Sequence, residues 1–414
     1  MSERIRATYW LETGDDPARA AEIIAGEQSS GTFVALPNET PELKARAGAR
    51  VERLEVLEQV VAPSLPELTR SGRYTRCTLE LSWPIENLGP SLPNLLSTVA
   101  GNLFELRAVS GLRLTDLELP PSFAAAYPGP AFGIAGTRRL AQVERGPLIG
   151  TIIKPSVGLS AAETAQQVRE LVDAGIDFIK DDELQADGPA CPFDERVHAV
   201  MRVINDAAER TGRKAMYAFN LTGDLDQMRR RHDLVLAAGG TCIMACIHSV
   251  GLTGLHALRR HAQLPIHGHR AGWGYLTRSP ALGWDYRPWQ KIWRLAGADH
   301  LHVNGLGNKF SEADDSVIAA ARSVLTPLWA PAPMAAMPVF SSGQTGLQAA
   351  PTYVALGSAD LIHAAGGGIF GHPNGIEAGV SAMREAWVAA MNNVPLRTHA
   401  EKVPALEDAL SFWK

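Results

Sequence analysis

Eight short apolar runs recur along the second part of the chain, separated by stretches with helical periodicity. Short apolar runs bounded by turns are typical of buried strands, and strands that alternate with helices predict a parallel sheet covered on both faces. Eight repeats in about 250 residues favour a closed (β/α)8 barrel over the alternative, an open doubly wound sheet. No GxGxxG motif follows the first run, which also favours the barrel. The runs are 148–153, 176–179, 214–219, 241–246, 264–268, 300–303, 337–340 and 359–364.

The first 137 residues lack this repeat and predict a smaller α+β domain of ferredoxin-like type. Helical patterns cover 17–25 and 92–106, and strand-like runs cover 31–35 and 75–83. A stretch rich in Pro, Gly and Ala at 120–136 is interpreted as a linker. We therefore expect an N-terminal domain at 1–137 and a barrel domain with a C-terminal helical tail at 138–414.

Composition excludes several functional classes. With 46% hydrophobic and 20% charged residues, the 414-residue chain is typical of a globular protein and not of a disordered one. The formal net charge of −5 gives no electrostatic reason to expect nucleic acid or an anionic membrane as a partner. The sequence has no uncharged apolar stretch of the roughly 18 residues that a membrane helix needs, and no apolar signal core at its start. We expect a cytoplasmic protein.

The four cysteines predict buried free thiols in a reducing compartment. Cys77 and Cys191 are isolated, and Cys242 and Cys246 lie in the strand-like run TCIMAC, so no CxxC motif is present. Structural zinc and a disulfide framework are the alternatives, and the spacing favours neither.

Polar side chains and glycines follow most of the predicted barrel strands. The carboxyl ends of barrel strands meet at one mouth, where the chemistry of such barrels takes place. We therefore expect these residues to lie around a single site. They are Lys154, Lys180, Asp181, Asp182, Glu183, Asn220, His267, His269, Arg270, His300, His302, Asn304, Asn308, Lys309, Ser341, Ser342, Gly343, Gly366, Gly367 and Gly368.

The segment FIKDDE places three carboxylates directly after an apolar strand. Hard oxygen ligands at a strand end suit magnesium, whereas a solvated acidic loop that opens the next helix is the alternative. Strict strand alternation would put Asp181 and Glu183 on one side and Asp182 on the other, provided that the strand continues. Lys180 is then either an ion-pair partner of these acids or, if neutral, a nucleophile.

Glycine-rich segments after the last two strands predict a phosphate site. Barrels frequently bind phosphate with the backbone amides of those two loops, although ordinary tight turns are the alternative. Arg270 and Lys309 are candidates for a second anionic group. The histidines of the fifth and sixth strands suit general acid–base catalysis better than zinc hydrolysis, and a core role for His267 and His300 remains open.

Six motifs together resemble the large subunit of ribulose-bisphosphate carboxylase (Rubisco), and more closely the Rubisco-like proteins. The resemblance covers about residues 27–391, and the joint order of the motifs is what makes it specific. The motifs are GTIIKPSVGLS (150–160), GIDFIKDDE (175–183), HGHRA (267–271), ADHLHVNGLGNKF (298–310), PVFSSG (338–343) and GGGIFGHPNG (366–375).

The resemblance implies a role for each matching residue. Lys180, carbamylated by CO2, would bind Mg²⁺ together with Asp182 and Glu183, while Asp181 would not be a ligand. Lys154 would abstract and return a proton, and His269 would act as an acid or base near the substrate hydroxyls. Lys309 would steady a carboxylate.

Substrate-binding roles follow in the same way. The second phosphate end of the carboxylase substrate would contact Arg270, His302 and Ser341, and the first would contact Gly343, Gly366 and Gly367. From the N-terminal domain, three residues would reach into the partner's barrel across a homodimer: Glu27, Thr32 and Asn102.

Three departures from the carboxylase argue against ribulose bisphosphate as the substrate. Ser156 stands where the carboxylase has a second lysine, Phe33 stands in place of a tryptophan, and the loop NGLGNKF keeps little besides its glycines and Lys309. The resemblance still implies magnesium-dependent enolate formation on a phosphorylated keto sugar or sugar acid.

Retention of Lys309 favours one group of Rubisco-like enzymes. These act in apiose catabolism on 3-oxo-isoapionate 4-phosphate, as a decarboxylase or transcarboxylase/hydrolase. The alternatives are a methionine-salvage enolase or isomerase on a methylthio-sugar phosphate, and a non-catalytic binding protein on the same scaffold.

Overall fold

The computed structural model describes residues 3–31, 36–66, 72–330 and 333–413. Its chain forms two compact units, one within Met1–Pro128 plus Gly272–Leu295 and the other within Gly129–Ala271 plus Ala296–Lys414. The segment Gly272–Leu295 therefore interrupts the second unit in sequence but belongs to the first, a feature that sequence patterns did not reveal.

The first unit is built on a five-stranded sheet in the order β10-β4-β1-β3-β2. Strands β1 to β4 pair antiparallel, and the order β4-β1-β3-β2 with helices after β1 and β3 is the predicted ferredoxin-like arrangement. Its strands are β1 Arg4–Thr13, β2 Arg50–Val60, β3 Tyr74–Pro84, β4 Gly111–Glu118 and β10 Leu282–Trp284. Its helices are α1 Pro17–Glu27, α2 Pro41–Ala47, α3 Leu92–Ala100, α4 Ser122–Ala126, α10 Trp273–Thr277 and α11 Tyr286–Leu295, with 3-10 turns at Ile85–Asn87 and Asn102–Glu105.

The structure confirms the expected strand at 75–83 as β3, whereas β1, β2 and β4 were not predicted. In β1, Ile5, Ala7, Tyr9 and Leu11 all point to one buried face. Strand β2 lies at the sheet edge and is exposed or half-buried along its whole length, so it carries no one-sided apolar pattern. The expected strand at 31–35 falls almost entirely outside the described residues.

The second unit is a closed barrel of eight parallel strands, as predicted, in the order β11-β12-β13-β5-β6-β7-β8-β9. Each strand overlaps one of the eight apolar runs. The strands are β5 Leu148–Ile152, β6 Phe178–Lys180, β7 Met216–Asn220, β8 Cys242–Cys246, β9 Ile266–His269, β11 His300–His302, β12 Met337–Phe340 and β13 Ile362–Ala364. The helices are α5 Gly133–Ala141, α6 Ala161–Asp173, α7 Phe193–Thr211, α8 Leu225–Ala237, α9 Ile247–His261, α12 Asp314–Leu325, α13 Ala349–Leu356, α14 Gly367–Phe370, α15 Gly375–Met391, α16 Leu396–Ala400 and α17 Pro404–Phe412, with a 3-10 turn at Gly346–Gln348.

Burial on both faces explains why the barrel strands are continuous apolar runs. Leu148, Phe178, Met216, Met244 and Val339 belong to one core cluster, and each is fully buried. A packed barrel interior leaves no internal channel, so polar groups gather where the strands end.

The stretch 120–136 is not a structureless linker. It contains α4 and the start of α5, and Phe123 is fully buried. Asp299, which precedes β11, accepts hydrogen bonds from the backbone N–H groups of Phe132 and Gly133 at 2.6 and 2.9 Å. Composition alone was therefore a poor guide to this stretch.

The prediction of buried free thiols is confirmed, because each of the four cysteines is buried and forms no disulfide. No helix in the described ranges has the length and apolar character to cross a membrane.

Candidate active site at the carboxyl ends of the barrel strands

Four of the predicted polar residues lie at the carboxyl ends of neighbouring strands, whereas His300 begins β11 and contacts Thr137 of α5. Lys154 follows β5, Lys180 ends β6, His269 ends β9 and His302 ends β11. Strands β5 and β6 are hydrogen-bonded neighbours, as are β9 and β11. Parallel strands deliver their last residues to one mouth, which is why residues far apart in sequence can share a site.

Lys154 contacts one of the three consecutive carboxylates. Its Nζ donates hydrogen bonds to Asp182 Oδ2 at 2.7 Å and to Ser156 Oγ at 2.7 Å. Ser156, noted in the sequence only as a departure from the carboxylase, thus positions the lysine. The Lys154 side chain is 38% exposed, so its ammonium group is open to the mouth.

Lys180 is a buried amine among acids. Its Nζ donates to the carbonyl oxygen of Asp181 at 2.7 Å and lies 3.6 Å from Glu183 Oε2, with its side chain 1% exposed. Burial lowers the pKa of Lys180 from its usual 10.5, although the neighbouring carboxylates, Glu183 first, oppose the shift. Burial therefore favours the neutral amine, the form that reacts with CO2.

Strict alternation fails across the three carboxylates, because β6 ends at Lys180. Asp182 contacts Lys154, and Glu183 Oε2 lies 3.4 Å from His269 Nε2, so Asp182 and Glu183 both line the mouth of the barrel. Asp181 points elsewhere.

Asp181 instead belongs to a buried polar network. Its carboxylate accepts hydrogen bonds from Tyr217 Oη at 2.6 Å and the Asn220 N–H at 2.9 Å, and it pairs with Arg196 at 3.2 Å. Burial, reinforced by the adjacent Asp181 charge, raises the pKa of Tyr217. Asp181 has a structural part in the site, because Arg196 and Tyr217 hold it away from the mouth.

The donor set fits Mg²⁺ provided that Lys180 is carbamylated. Asp182 and Glu183 supply two hard oxygen ligands beside the lysine, and a free amine is not a ligand that Mg²⁺ favours. A carbamate on the Lys180 nitrogen would supply the third oxygen. The buried amine next to two carboxylates is the observation that supports this fit.

Four histidines of β9 and β11 are buried or nearly so and form a series of ring contacts. His267 Nε2 lies 2.7 Å from His302 Nε2, and the rings of His269 and His302 are 4.5 Å apart. Burial lowers the pKa of His267, His269 and His302 well below the usual value and that of His300 to about 3.

Zinc is not favoured at these barrel histidines. In the described ranges, the one group of three His, Cys, Asp or Glu side chains close enough to share an ion is on outer helices, at His232, Asp233 and His261. His232 Nε2 there accepts the Gln263 N–H at 3.0 Å, so in the neutral ring Nδ1 carries the proton and donates to Asp233. That ring presents no lone pair to a metal between the three groups.

Arg270 and Ser341 lie at the second proposed phosphate end, but a carboxylate is already there. Arg270 Nη2 donates to Glu312 Oε2 at 2.7 Å. Ser341 Oγ lies 3.0 Å from His302 Nδ1. Sequence reasoning missed Glu312, which is three residues beyond Lys309 and has no motif of its own.

The glycines that follow β12 and β13, here called the glycine end, lie at the same mouth. Gly343 has φ +86, a conformation that a side chain would strain, and Gly367 faces open space. A side chain on Gly366 would meet Lys154 Cε at 3.4 Å, so this glycine lies next to the proposed base. An anionic group bound here would come close to the reacting centre.

Lys309 is exposed on the loop after β11. Its backbone N–H donates to Ser342 O at 3.2 Å, and its ammonium lies 5.3 Å from the Phe310 ring centroid. The backbone contact anchors the loop beside β12, while the side chain stays on the surface.

The three residues expected to serve a partner subunit lie in the first unit. Glu27 ends α1 and is exposed, as is Asn102 at the start of a 3-10 turn. The Gln28 amide, oriented as its partners require, donates to Ser97 O at 2.7 Å and accepts from the Asn102 N–H at 3.0 Å. Thr32 lies outside the described residues, as does Phe33.

Known proteins resemble this chain over its whole length. A 3-oxo-isoapionate-4-phosphate transcarboxylase/hydrolase of Xanthobacter autotrophicus is 72% identical over 414 residues, 100% of each chain. A 3-oxo-isoapionate-4-phosphate decarboxylase of Rhizobium rhizogenes is 43% identical over 410 residues, 98% of each chain. The crystal structure of a rubisco-like protein from Burkholderia fungorum has 47% identity and a TM-score of 0.94 over 99% of each chain.

Two family models cover nearly all of the sequence. Residues 3–123 match the ribulose bisphosphate carboxylase large chain, N-terminal domain, and residues 133–413 match its catalytic domain. All six motifs quoted above fall in the second match, where the barrel lies. The chain belongs to the ribulose bisphosphate carboxylase large chain family, among its Rubisco-like proteins.

Proposed function

We propose that this enzyme is a 3-oxo-isoapionate-4-phosphate transcarboxylase/hydrolase. The observation that carries the proposal is the contact of Lys154 Nζ with Asp182, beside buried Lys180 and Glu183, which places a base against a magnesium-type donor set. The 72% identity to the Xanthobacter enzyme, against 43% to the Rhizobium decarboxylase, favours transfer of the carboxyl group over its release as CO2.

The substrate class explains why such a donor set is useful. A 3-oxo acid carries its ketone β to the carboxylate, so cleavage of the bond to the carboxyl carbon leaves an electron pair that the ketone oxygen can take up. When bound, Mg²⁺ would draw electron density from that oxygen and lower the barrier. Asp182, Glu183 and carbamylated Lys180 would hold the ion.

Lys154 is proposed to move the proton. Its Nζ is open to the mouth and next to Asp182. A substrate whose oxygens lie at the proposed metal ligands would therefore have its adjacent carbon close to Lys154. A neutral Lys154 would take a proton from a carbon, and the ammonium form would return one. His269, which burial keeps neutral, is proposed as the second acid or base, near the hydroxyls.

The glycine end is proposed to bind the substrate phosphate. Exposed Gly343 and Gly367 leave their backbones accessible to an anion, and Gly366 brings that anion beside Lys154. Binding of the non-reacting phosphate would fix the position of the substrate's carbon skeleton relative to Lys154. Lys309 is proposed to hold the carboxyl group in transit.

We further propose a homodimer in which Glu27, Thr32 and Asn102 complete the partner's site. The exposure of Glu27 and Asn102 supports this assignment. The four unpaired thiols support a reducing compartment, and we propose the cytoplasm.

The test follows a ¹³C label on the carboxyl group of 3-oxo-isoapionate 4-phosphate, in the presence of Mg²⁺ and bicarbonate. Label retained in a new organic carboxylate supports the transcarboxylase/hydrolase. Label released as CO2 makes the protein a decarboxylase. An unchanged carboxyl signal contradicts both, and turnover of a methylthio-sugar phosphate would then establish the methionine-salvage alternative.

A further inference from the structure

We propose that Glu312 makes this enzyme specific for a monophosphate, because the Arg270 end of the site takes a neutral, hydroxyl-bearing end of the substrate and not a second phosphate. The inference rests on the proposed function and deepens it, since it assigns the substrate's single phosphate to the glycine end.

The first observation is charge neutralisation of Arg270. Its Nη2 lies 2.7 Å from Glu312 Oε2, and the two side chains are only 7% and 16% exposed. A phosphate dianion at Arg270 would face this carboxylate at close range with little water between them. Juxtaposed like charges discriminate strongly against such a ligand.

The second observation is that Glu312 is held in place from several directions. Asn304 Nδ2 donates to its Oε2 at 2.7 Å, and Ser316 Oγ donates to its Oε1 at 2.9 Å. The Asn308 amide donates to the Glu312 carbonyl at 3.0 Å. A ligand that expelled this carboxylate would have to break the whole set.

The third observation begins with Thr137, at the opposite end of a chain of histidines. Thr137 Oγ1 lies 2.5 Å from Gly133 O, a carbonyl that can only accept, so its hydroxyl proton is committed there. His300 Nε2, 2.8 Å from the same oxygen, must then be the donor. The neutral His300 ring therefore carries its proton on Nε2 and offers Nδ1 as an acceptor.

The same argument assigns the protons of the next two rings, His267 and His302. His267 Nδ1, 3.4 Å from His300 Nδ1, is the donor, so His267 Nε2 accepts from His302 Nε2 at 2.7 Å. His302 Nδ1 is then an acceptor and takes the hydroxyl proton of Ser341 at 3.0 Å. The three rings are buried, and with one proton on each ring this assignment satisfies every contact in the chain.

Ser341 consequently turns its hydroxyl proton inward and offers lone pairs to a ligand. A phosphate dianion accepts hydrogen bonds and cannot donate one, so it has no favourable contact with this oxygen. A substrate hydroxyl can donate to it. Glu312 and the Thr137–His300–His267–His302 chain thus select the same kind of ligand by independent means.

The experiment measures the affinity of two unreactive probes for the full-length protein with Mg²⁺ and bicarbonate. The probes are a pentitol 1-phosphate and the 1,5-bisphosphate of the same pentitol, titrated calorimetrically. We expect the wild-type protein to bind the bisphosphate no more than about fivefold more tightly than the monophosphate, because one phosphate suffices.

Glu312→Gln should increase the affinity for the bisphosphate by about tenfold or more and leave the monophosphate affinity within about threefold. Asp315→Asn, which removes the same charge from an exposed position three residues away, should change neither. Unaltered monophosphate binding shows that the variant is folded.

A wild-type preference for the bisphosphate above fivefold overturns the proposal. So does a Glu312→Gln protein whose bisphosphate affinity is unchanged, or a wild-type protein that binds no monophosphate. The affinity ratio involves no turnover, so a failure in the ¹³C experiment is distinguishable from a failure here.

Discussion

The ammonium nitrogen of Lys154 lies 2.7 Å from Asp182 Oδ2, so the proposed base and a proposed magnesium ligand form an ion pair. A cation that took this carboxylate as a ligand would compete with Lys154 for it. Metal binding would thereby release the lysine toward the substrate, which couples assembly of the magnesium site to readiness of the base.

Replacement of this lysine should separate metal binding from catalysis. We expect Lys154→Met to lower turnover by about 10²–10⁴-fold, the contribution of a positioned acid or base, because among the described residues no other lysine pairs with Asp182. Magnesium affinity should be unchanged or higher, since a competing cation is gone. Steady-state kinetics and magnesium titration measure the two effects, with exposed Lys402→Met as the control. Equal turnover in both variants would show that Lys154 is not the base.

Neighbouring carboxylates should differ sharply in their effects on stability. Asp181→Asn leaves Arg196 buried without its counter-charge, and we expect the free energy of unfolding to fall by about 3–5 kcal/mol. Asp182→Asn removes the counter-charge of Lys154, which is partly exposed, and keeps Oδ1 as the acceptor for the Leu184 N–H, so without metal it should cost about 1 kcal/mol or less. Denaturant unfolding in the absence of Mg²⁺ compares them, and similar losses would contradict the structural part assigned to Asp181.

The histidine chain predicts an uncommon tautomer. His267 should carry its proton on Nδ1, whereas His300 and His302 carry theirs on Nε2. Nitrogen-15 NMR of histidine-labelled protein distinguishes the forms, with His267→Gln used to assign the signal. A protonated Nε2 on His267 in the wild-type protein would refute the chain.

Thr137, which contacts His300, should determine the tautomers of all three histidines. Thr137→Val removes the acceptor for His300 Nε2, so we expect the Nδ1-protonated fraction of His267 to fall in the same spectra. Thr137→Ser keeps the hydroxyl and should retain the wild-type signal. A lower Nδ1-protonated fraction of His267 in the serine variant as well would show that packing, and not the hydroxyl group, is the cause.

Glu12, in the first unit, should make stability depend on pH. Burial alone would raise the pKa of its carboxyl, but hydrogen bonds from Ser64, Arg76 and Ser110 hold that pKa below the usual 4.5. The folded state therefore binds fewer protons than the unfolded state, so this stabilisation is present above pH 4.5 and is lost as the pH falls through the lowered pKa.

Glu12→Gln tests that sign. At pH 7 it should reduce stability by about 1.5–3 kcal/mol, the range for hydrogen bonds to a charged group, and the deficit should shrink as the pH falls below 4.5. Thermal unfolding across pH measures the difference, with exposed Glu22→Gln as the charge-matched control. A deficit that grows in acid would contradict the prediction.

Gly367→Ala should weaken phosphate binding without disturbing the fold. A methyl group at this position would meet no atom of the described residues within 4 Å, so it would occupy open space at the mouth. We expect the pentitol monophosphate to bind about tenfold or more weakly while the melting temperature stays the same. Gly254→Ala on α9, which makes only ordinary contacts, is the control. Normal affinity in Gly367→Ala would remove this glycine from the phosphate site.

Much of the barrel was predictable because its strands are buried on both faces. Burial requires unbroken apolar runs such as 148–153 and 337–340, and eight of them are visible in the sequence. The edge strand β2 was missed because it is exposed on both faces and carries no one-sided pattern. Segment Gly272–Leu295 was missed because its membership of the first unit rests on pairing of β10 with β4, a long-range contact.

The sequence by itself determined the barrel, the run of consecutive residues 180–183 that holds Lys180, Asp182 and Glu183, and the glycines after the last strands, because each is a local pattern. Tertiary structure alone decided which carboxylates face the mouth, since β6 ends at Lys180 and Arg196 draws Asp181 away. It also brought Glu312 to Arg270, 42 residues apart in the chain. Side-chain contacts between distant loops leave no periodic pattern in the sequence. The direction of each hydrogen bond in the histidine chain likewise depends on all of its partners, which only the tertiary structure brings together.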